Sequence, residues 1–131
     1  MTGARTVLAQ TRAVIVDLDG TLVHTLIDFV AAINLMLDDL GVDHSAFRAT
    51  AANIEPLVGK GSESLIKQVL GLASIAQPAI KNIASFEEAL ATYLRHYRAI
   101  NGVYATVYPG VVLGLKQLKA RGLRLACLTN K

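Results

Sequence analysis

The sequence predicts an α/β fold: part of a doubly wound parallel-sheet core into which a helical domain is inserted. Three observations predict it. Ala13 to Val16 is a short, β-branched run, apolar on both faces, which is the pattern of a central parallel strand. Leu123 to Leu128 is a second mainly apolar run, broken only by Arg124, near the other end of the chain and behind a helix that starts after Pro109. Between them, apolar residues recur at helical spacing from about His24 to Thr106. A parallel crossover needs only about a dozen residues, and the helix after Pro109 supplies them. The block in the middle is therefore surplus to the connection. The predicted organisation is core over 1–23, helical insertion over 24–106, and core again over 107–131.

The elements follow in order. After the first strand, Leu26, Val30, Ile33, Leu37 and Leu40 recur at spacings of four and three, and Gly41 is placed to close that helix. A second helix is expected over about Ser45 to Leu57, although its apolar pattern is weak. A third begins near Ser62, after Val58-Gly59-Lys60-Gly61, and ends by Gly71. Pro78 interrupts a looser segment with room for one more short helix. Ser85 and Glu88 form the S-x-x-E capping box of a helix whose stripe is Phe86, Leu90, Tyr93, Leu94, Tyr97 and Ile100, ended by Asn101-Gly102. A helix over about Val111 to Arg121 stops at Gly122, and the second strand leads into Thr129-Asn130-Lys131.

Composition narrows the classes. The chain has 131 residues, enough for one ordinary domain, and 53% of them are hydrophobic, which argues against disorder and for a large buried core or surface that expects cover. No apolar run approaches the ~18–20 residues that span a bilayer, and Met1 to Gln10 carries no leader-like stretch. The reading is cytoplasmic, with no membrane partner. The single cysteine, Cys127, excludes an internal disulfide and is expected to be an inert thiol within a buried strand. Net charge is +3, but the basic residues are scattered and aromatics are few, so no nucleic-acid partner is expected.

The chemistry concentrates in Val14 to Thr25, VIVDLDGTLVHT. A carboxylate at the end of a buried strand is costly unless its charge is compensated. Two of them, Asp17 and Asp19, stand at i and i+2, on one face of an extended chain and roughly 6–7 Å apart. In doubly wound folds ligands bind beyond the carboxyl ends of the strands, so Asp17 to Thr21 and Thr129-Asn130 are expected to meet there. Asp17 suits a nucleophile that attacks phosphorus, and Asp19 a general acid and base. Gly20 lets the backbone turn and bring N–H groups to phosphate oxygens. Thr129 and Asn130 would add phosphate-binding hydrogen bonds. A carboxylate approaches an anionic phosphate only with a cation present, so Mg²⁺ is implied.

Asp17-x-Asp19-Gly20-Thr21-Leu22 resembles motif I of the haloacid dehalogenase superfamily, and the strand ending in Thr129-Asn130 resembles its motif II. The helical insertion resembles the cap domain placed directly after motif I. Within the superfamily, DLDGTLVHT, the V-G-x-G-x-x-x-L run from Val58 to Leu65, YPGV and LTNK together resemble the phosphoglycolate phosphatases. The resemblance implies a Rossmann-like core, an aspartyl-phosphate intermediate, and Mg²⁺ held by the Asp17 side chain and the Asp19 backbone carbonyl. It implies a small phosphorylated metabolite as substrate. The cap region that faces substrate in the family includes Lys60, a candidate for binding a substrate carboxylate. Relatives among the P-type ATPases carry Thr at the position of Asp19 and the dehalogenases lack the acid, so Asp19 favours a phosphatase or phosphomutase.

Family members continue past motif II with a lysine and an acidic metal-binding loop, and their sheet has more strands than the two found here. Lys131 is not that later lysine. The expectation is an amino-terminal part of a phosphatase, poorly active or inactive alone. Alternatives are a β-phosphoglucomutase-like enzyme, which shares both aspartates and a helical cap, a phosphoacceptor signalling domain, and a non-catalytic fragment or interaction module. Gly59-Lys60-Gly61-Ser62 does not satisfy the P-loop pattern. His24 suits a hinge or a substrate contact. His44, His96 and Asp38-Asp39 read as solvated, and Tyr93, Tyr97 and Tyr104 as packing.

Overall fold

The computed structural model describes residues 10–82 and 84–130. Met1 to Ala9, Ile83 and Lys131 lie outside the described residues, and with them most of the amino-terminal stretch and the lysine after Asn130. The chain divides into two compact units. One comprises the described part of Met1–His24 with Val107–Thr129, and the other comprises Thr25–Thr106 with Asn130.

The first unit is α/β. Strand β1 (Ala13–Val16) pairs in parallel with the last strand, Arg124–Cys127, with Val16 opposite Cys127, and the ladder extends through Leu128 N–H to the Val16 carbonyl at 3.0 Å. The parallel pairing and the helix before the second strand (Val111–Ala120) match the predicted class. That helix ends in a Schellman turn, Gly122 N–H donating to Lys119 O and Leu123 N–H to Leu118 O. Two further strands of two residues, β2 (Val23–His24) and β3 (Thr106–Val107), pair with each other. Nothing in the sequence pattern announced them, since two residues carry no period.

Burial in this unit departs from expectation. None of its described side chains is fully buried, Ile15 and Leu128 are each 68% exposed, and Cys127 is exposed. The reading of Cys127 as a core thiol is therefore corrected. A strand that is apolar on both faces is built for cover on both faces, and this two-stranded sheet receives little. An open apolar depression of about 170 Å³ lies among Val16, Leu22, Leu115, Leu125, Ala126 and Cys127.

The second unit is helical and holds the whole described core. Helix α1 (Leu26–Asp39) buries Phe29, Ala32, Ile33, Met36 and Leu37. It ends at Gly41 as expected, in a Schellman turn with Val42 N–H on Leu37 O. The segment read as a helix from Ser45 instead turns around Asp43, whose carboxylate accepts from the Ser45 N–H and hydroxyl. Its helix α2 covers only Ala51–Ile54, capped by Thr50 and Asn53, with a 3₁₀ turn over Glu55–Leu57. Asp43 caps a single turn, with the Ala46 and Phe47 N–H groups on its carbonyl, and the weak apolar stripe that follows does not carry that turn into a helix.

Helix α3 (Ser62–Ala76) runs past Gly71, because its buried stripe Leu65, Ile66, Val69 continues to Ala73 and outweighs one interior glycine. Helix α4 (Phe86–Ile100) carries the Ser85–Glu88 capping box and packs Tyr93 and Tyr97 into the core. Tyr97 stacks on Phe29 with centroids 5.4 Å apart. Tyr104, by contrast, is exposed, so it is not part of that packing. The remaining elements are α5 (Val111–Ala120) and β4 (Arg124–Cys127), both in the first unit.

Two polar devices hold this unit together. Asp39 at the end of α1 receives Arg95 at 2.6 Å and His96 at 2.7 Å from α4, and these hydrogen bonds, His96 first, hold its carboxyl below the ordinary value of 3.8. His96 is thus a paired group and not a solvated one. Asp28 is fully buried in the first turn of α1, and its two oxygens accept the N–H groups of Gly102 and Tyr104, each at 2.8 Å. The start of α1 is thereby stapled to the loop after α4.

Substitution of a polar residue should cost more here than substitution of an apolar one. Asp28→Ala leaves two amides without acceptors and should destabilise the helical unit by about 2–4 kcal/mol. Ile15→Ala, at an exposed strand position, should change stability by no more than about 0.5 kcal/mol. Urea unfolding followed by far-UV circular dichroism compares them, and equal losses would contradict the burial described.

Candidate active site

The parallel register places two loops side by side. Asp17 follows β1 directly, Thr129 follows β4 by two residues, and the Thr129 hydroxyl lies 3.4 Å from Asp19 Oδ2 in hydrogen-bonding geometry. Residues that are 110 positions apart in sequence are joined by that contact.

The first loop is tight. The Leu18 carbonyl accepts from the N–H groups of Thr21, Leu22 and Val23 at 3.2, 3.0 and 3.1 Å, and Gly20 N–H donates to Val23 O at 2.9 Å. Gly20 has φ of +77°, with nothing within 4 Å of where a Cβ would stand. Its glycine is thus required by backbone conformation and not by space. The role of the Leu18 carbonyl as the loop's hub was invisible in the sequence, because a main-chain acceptor leaves no residue signature.

The two carboxylates differ in surroundings. Asp17 is exposed, and its nearest recorded partner is the Thr21 hydroxyl at 3.5 Å, the limit of a hydrogen bond. It makes no ion pair among the described residues. Asp19 is half-buried and engaged by Thr129. Behind the loop, His24 Nδ1 lies 3.1 Å from the Tyr108 hydroxyl with the rings tilted at 50°, and Tyr108 N–H donates to Leu22 O. His24 is therefore engaged by Tyr108, which favours the structural reading over a substrate contact.

Of the residues singled out from sequence, Asp17, Asp19, Gly20 and Thr129 fall together in the α/β unit. Asn130 and Lys60 belong to the helical unit, where Asn130 Nδ2 donates to the Gly59 carbonyl at 2.9 Å, one residue before Lys60. Lys60 is exposed.

Among the described residues no group of three His, Cys, Asp or Glu side chains is placed to hold a metal ion. This still fits Mg²⁺, which keeps several waters and is bound by one or two carboxylates together with substrate phosphate. Asp17 has acceptor capacity to spare, and a hard cation takes oxygen ligands of this kind.

A family model for haloacid dehalogenase-like hydrolases matches residues 11–131. The chain belongs to the haloacid dehalogenase-like hydrolase family. It is 41% identical over 126 residues to the plasmid-encoded phosphoglycolate phosphatase of Cupriavidus necator, covering 96% of this chain and 51% of that one. It is 38% identical over 120 residues to the phosphoglycolate phosphatase of Thiobacillus denitrificans, covering 92% and 50%. The crystal structure of a predicted phosphoglycolate phosphatase from Haemophilus somnus superposes with a TM-score of 0.80 at 27% identity, over 93% of this chain and 52% of that one. The chain spans about half the length of the curated relatives it matches. Among the described residues no helix is long and apolar enough to cross a membrane.

Mn²⁺, a paramagnetic stand-in for Mg²⁺, should broaden the amide resonances of Asp17 to Thr21 and Thr129 more than that of Ala13, at the far end of β1. Asp17→Asn should weaken that broadening at equal Mn²⁺. Broadening centred elsewhere would remove the two aspartates as the metal-binding pair.

Proposed function

We propose that this chain carries the amino-terminal half of a cytoplasmic, Mg²⁺-dependent phosphatase that hydrolyses a small phosphomonoester, phosphoglycolate being the best-supported substrate. The observation that carries this reading is the juxtaposition of Asp17, Asp19 and Thr129 at the ends of two parallel strands. The phosphoglycolate phosphatases among its relatives support the substrate. The helical unit would serve as the cap, with Lys60 addressing the substrate carboxylate.

Asp17 attacks phosphorus, forming an acyl-phosphate bond as the bond to the substrate's leaving oxygen breaks. Asp19, protonated, gives its proton to that oxygen. As a carboxylate it then takes a proton from water, whose oxygen attacks phosphorus and releases inorganic phosphate, restoring Asp17. Gly20 turns the loop, but its own N–H is held by the Val23 carbonyl and is not a phosphate donor; the backbone at Asn130 supplies an N–H to the phosphate oxygens, and the Thr129 hydroxyl adds another donor. The Asp17 side chain and the Asp19 carbonyl would hold Mg²⁺, which would supply the positive charge that lets two anions meet.

Phosphate release from phosphoglycolate with Mg²⁺ tests the proposal. Release by this 131-residue chain should fall well below that of the Cupriavidus necator relative. Asp17→Asn should abolish it, and Asp19→Asn should lower it by about 10²–10⁴-fold. Beryllofluoride, a phosphoryl mimic, should give a bound ¹⁹F signal that Asp17→Asn removes. Unchanged release by the Asp17 variant would overturn the assignment.

A further inference from the structure

The loop from Gly59 to Gly61 lies between the 3₁₀ turn at Glu55–Leu57 and the start of α3. Two glycines bracket Lys60, with φ of +109° at Gly59 and +85° at Gly61. Both values fall where L side chains are strained, so the conformation of the loop is specified by its glycines. Gly61 is also the N-cap of α3 and offers no side chain for capping, so α3 leaves the loop's fixation to other groups.

Asn130 meets the loop twice. Its side-chain amide donates to the Gly59 carbonyl at 2.9 Å, and its own carbonyl oxygen lies 3.4 Å from where a Cβ at Gly61 would stand. The two contacts fall on either side of Lys60. A carbonyl in an exposed loop has no need of a side-chain donor from 71 residues away, since water serves it equally well. Gly61 stands apart from the other eight glycines tested for the same clearance, none of which has any atom within 4 Å. This is ordinary van der Waals contact, so Asn130 packs against the loop as well as bonding to it.

We propose that the Asn130 side chain is a positioning residue: a latch that holds the Gly59–Gly61 loop in one conformation and so fixes the direction of Lys60. Asn130 follows Thr129 directly in the chain. The consequence for substrate choice rests on the phosphatase reading, and the latch itself does not. An ordered Lys60 favours a phosphomonoester with a second anionic group over one without.

Trypsin cleaves after lysine and tests the latch without any need for activity. In the 131-residue chain, Asn130→Ala should raise the cleavage rate after Lys60 by roughly three- to tenfold, the factor carried by one hydrogen bond. Cleavage after Arg95 in α4 should be unchanged. Asn130→Asp, the same size but without the donor, should raise it at least as far. Unchanged cleavage after Lys60 in both variants overturns the latch. Equal acceleration at Lys60 and Arg95 overturns it too, because Asn130 would then support the whole unit and not the loop. In the phosphatase assay, Asn130→Ala should raise KM for phosphoglycolate more than for p-nitrophenyl phosphate, which lacks the carboxylate. A uniform rise in KM would overturn the role in substrate choice. Absence of activity toward either ester, as expected of half a phosphatase, leaves the trypsin result to decide the latch.

Discussion

The site depends on one pairing, the parallel ladder between β1 and β4. Its register sets Val16 opposite Cys127 and carries the last bond through Leu128. Asp17 and Thr129 therefore leave the sheet at the same edge, although nearly the whole chain separates them. Strand side chains alternate with a period of two, so a slip of one residue would turn each of these groups to the opposite face. The register is also the reason that Asp19 has a partner. The Thr129 hydroxyl reaches its carboxylate because both loops begin at one level of the sheet.

The unit that carries the ladder is not the one that carries the core. All the fully buried described residues belong to Thr25–Thr106, where α1, α3 and α4 enclose Ile33, Ile66 and Tyr93. The helical unit has what a small domain needs: capped helices, a stacked pair of tyrosines and a buried carboxylate with both oxygens in use. The α/β unit rests on the β1–β4 pair and one helix, with Ile15 and Leu128 left largely in water. Isolated two-stranded sheets are marginal in water. Cover over those faces would add roughly 25 cal/mol for each Å² of apolar surface removed from solvent. The chain matches about half the length of its curated relatives, and the bare sheet agrees with a core that is only partly represented.

Much of this was legible in the sequence, and what was not has identifiable causes. The long helices were readable because α1, α3 and α4 each bury one stripe, and a stripe is a periodic signal. The parallel pairing was readable because both strands are largely apolar runs, the second broken only by Arg124, with a crossover helix before the second. Ser45 to Leu57 was misread because its weak stripe does not sustain one continuous helix, and the segment breaks into a single turn after Asp43 and a short helix behind the Thr50–Asn53 box. Gly71 looked like a stop but is an interior position, since tertiary packing at Ala73 outweighs a local penalty. Cys127 was expected to be buried because an apolar strand implies neighbours, and sequence pattern cannot tell whether they are present. Asp28 passed as an interruption of an apolar run. Its value lies in two backbone amides more than seventy residues away, and nothing local to it in the sequence points to them.

Asp17 and Asp19 look interchangeable as text, two identical acids with one residue between them. Their surroundings separate them. The proposed nucleophile is exposed and held only by a hydroxyl at 3.5 Å, which leaves lone pairs for a cation and for phosphorus. The proposed acid and base is half-buried and tethered to the second loop by Thr129. A group that moves a proton at a defined atom gains from being held in place, whereas a group that forms a bond must keep an oxygen accessible. Pairs of titratable groups are assigned their roles by environments that differ. Here the difference arises from the fold: the neighbouring strand's loop gives the second acid a hydroxyl partner, while the hydroxyl beside the first comes from its own loop.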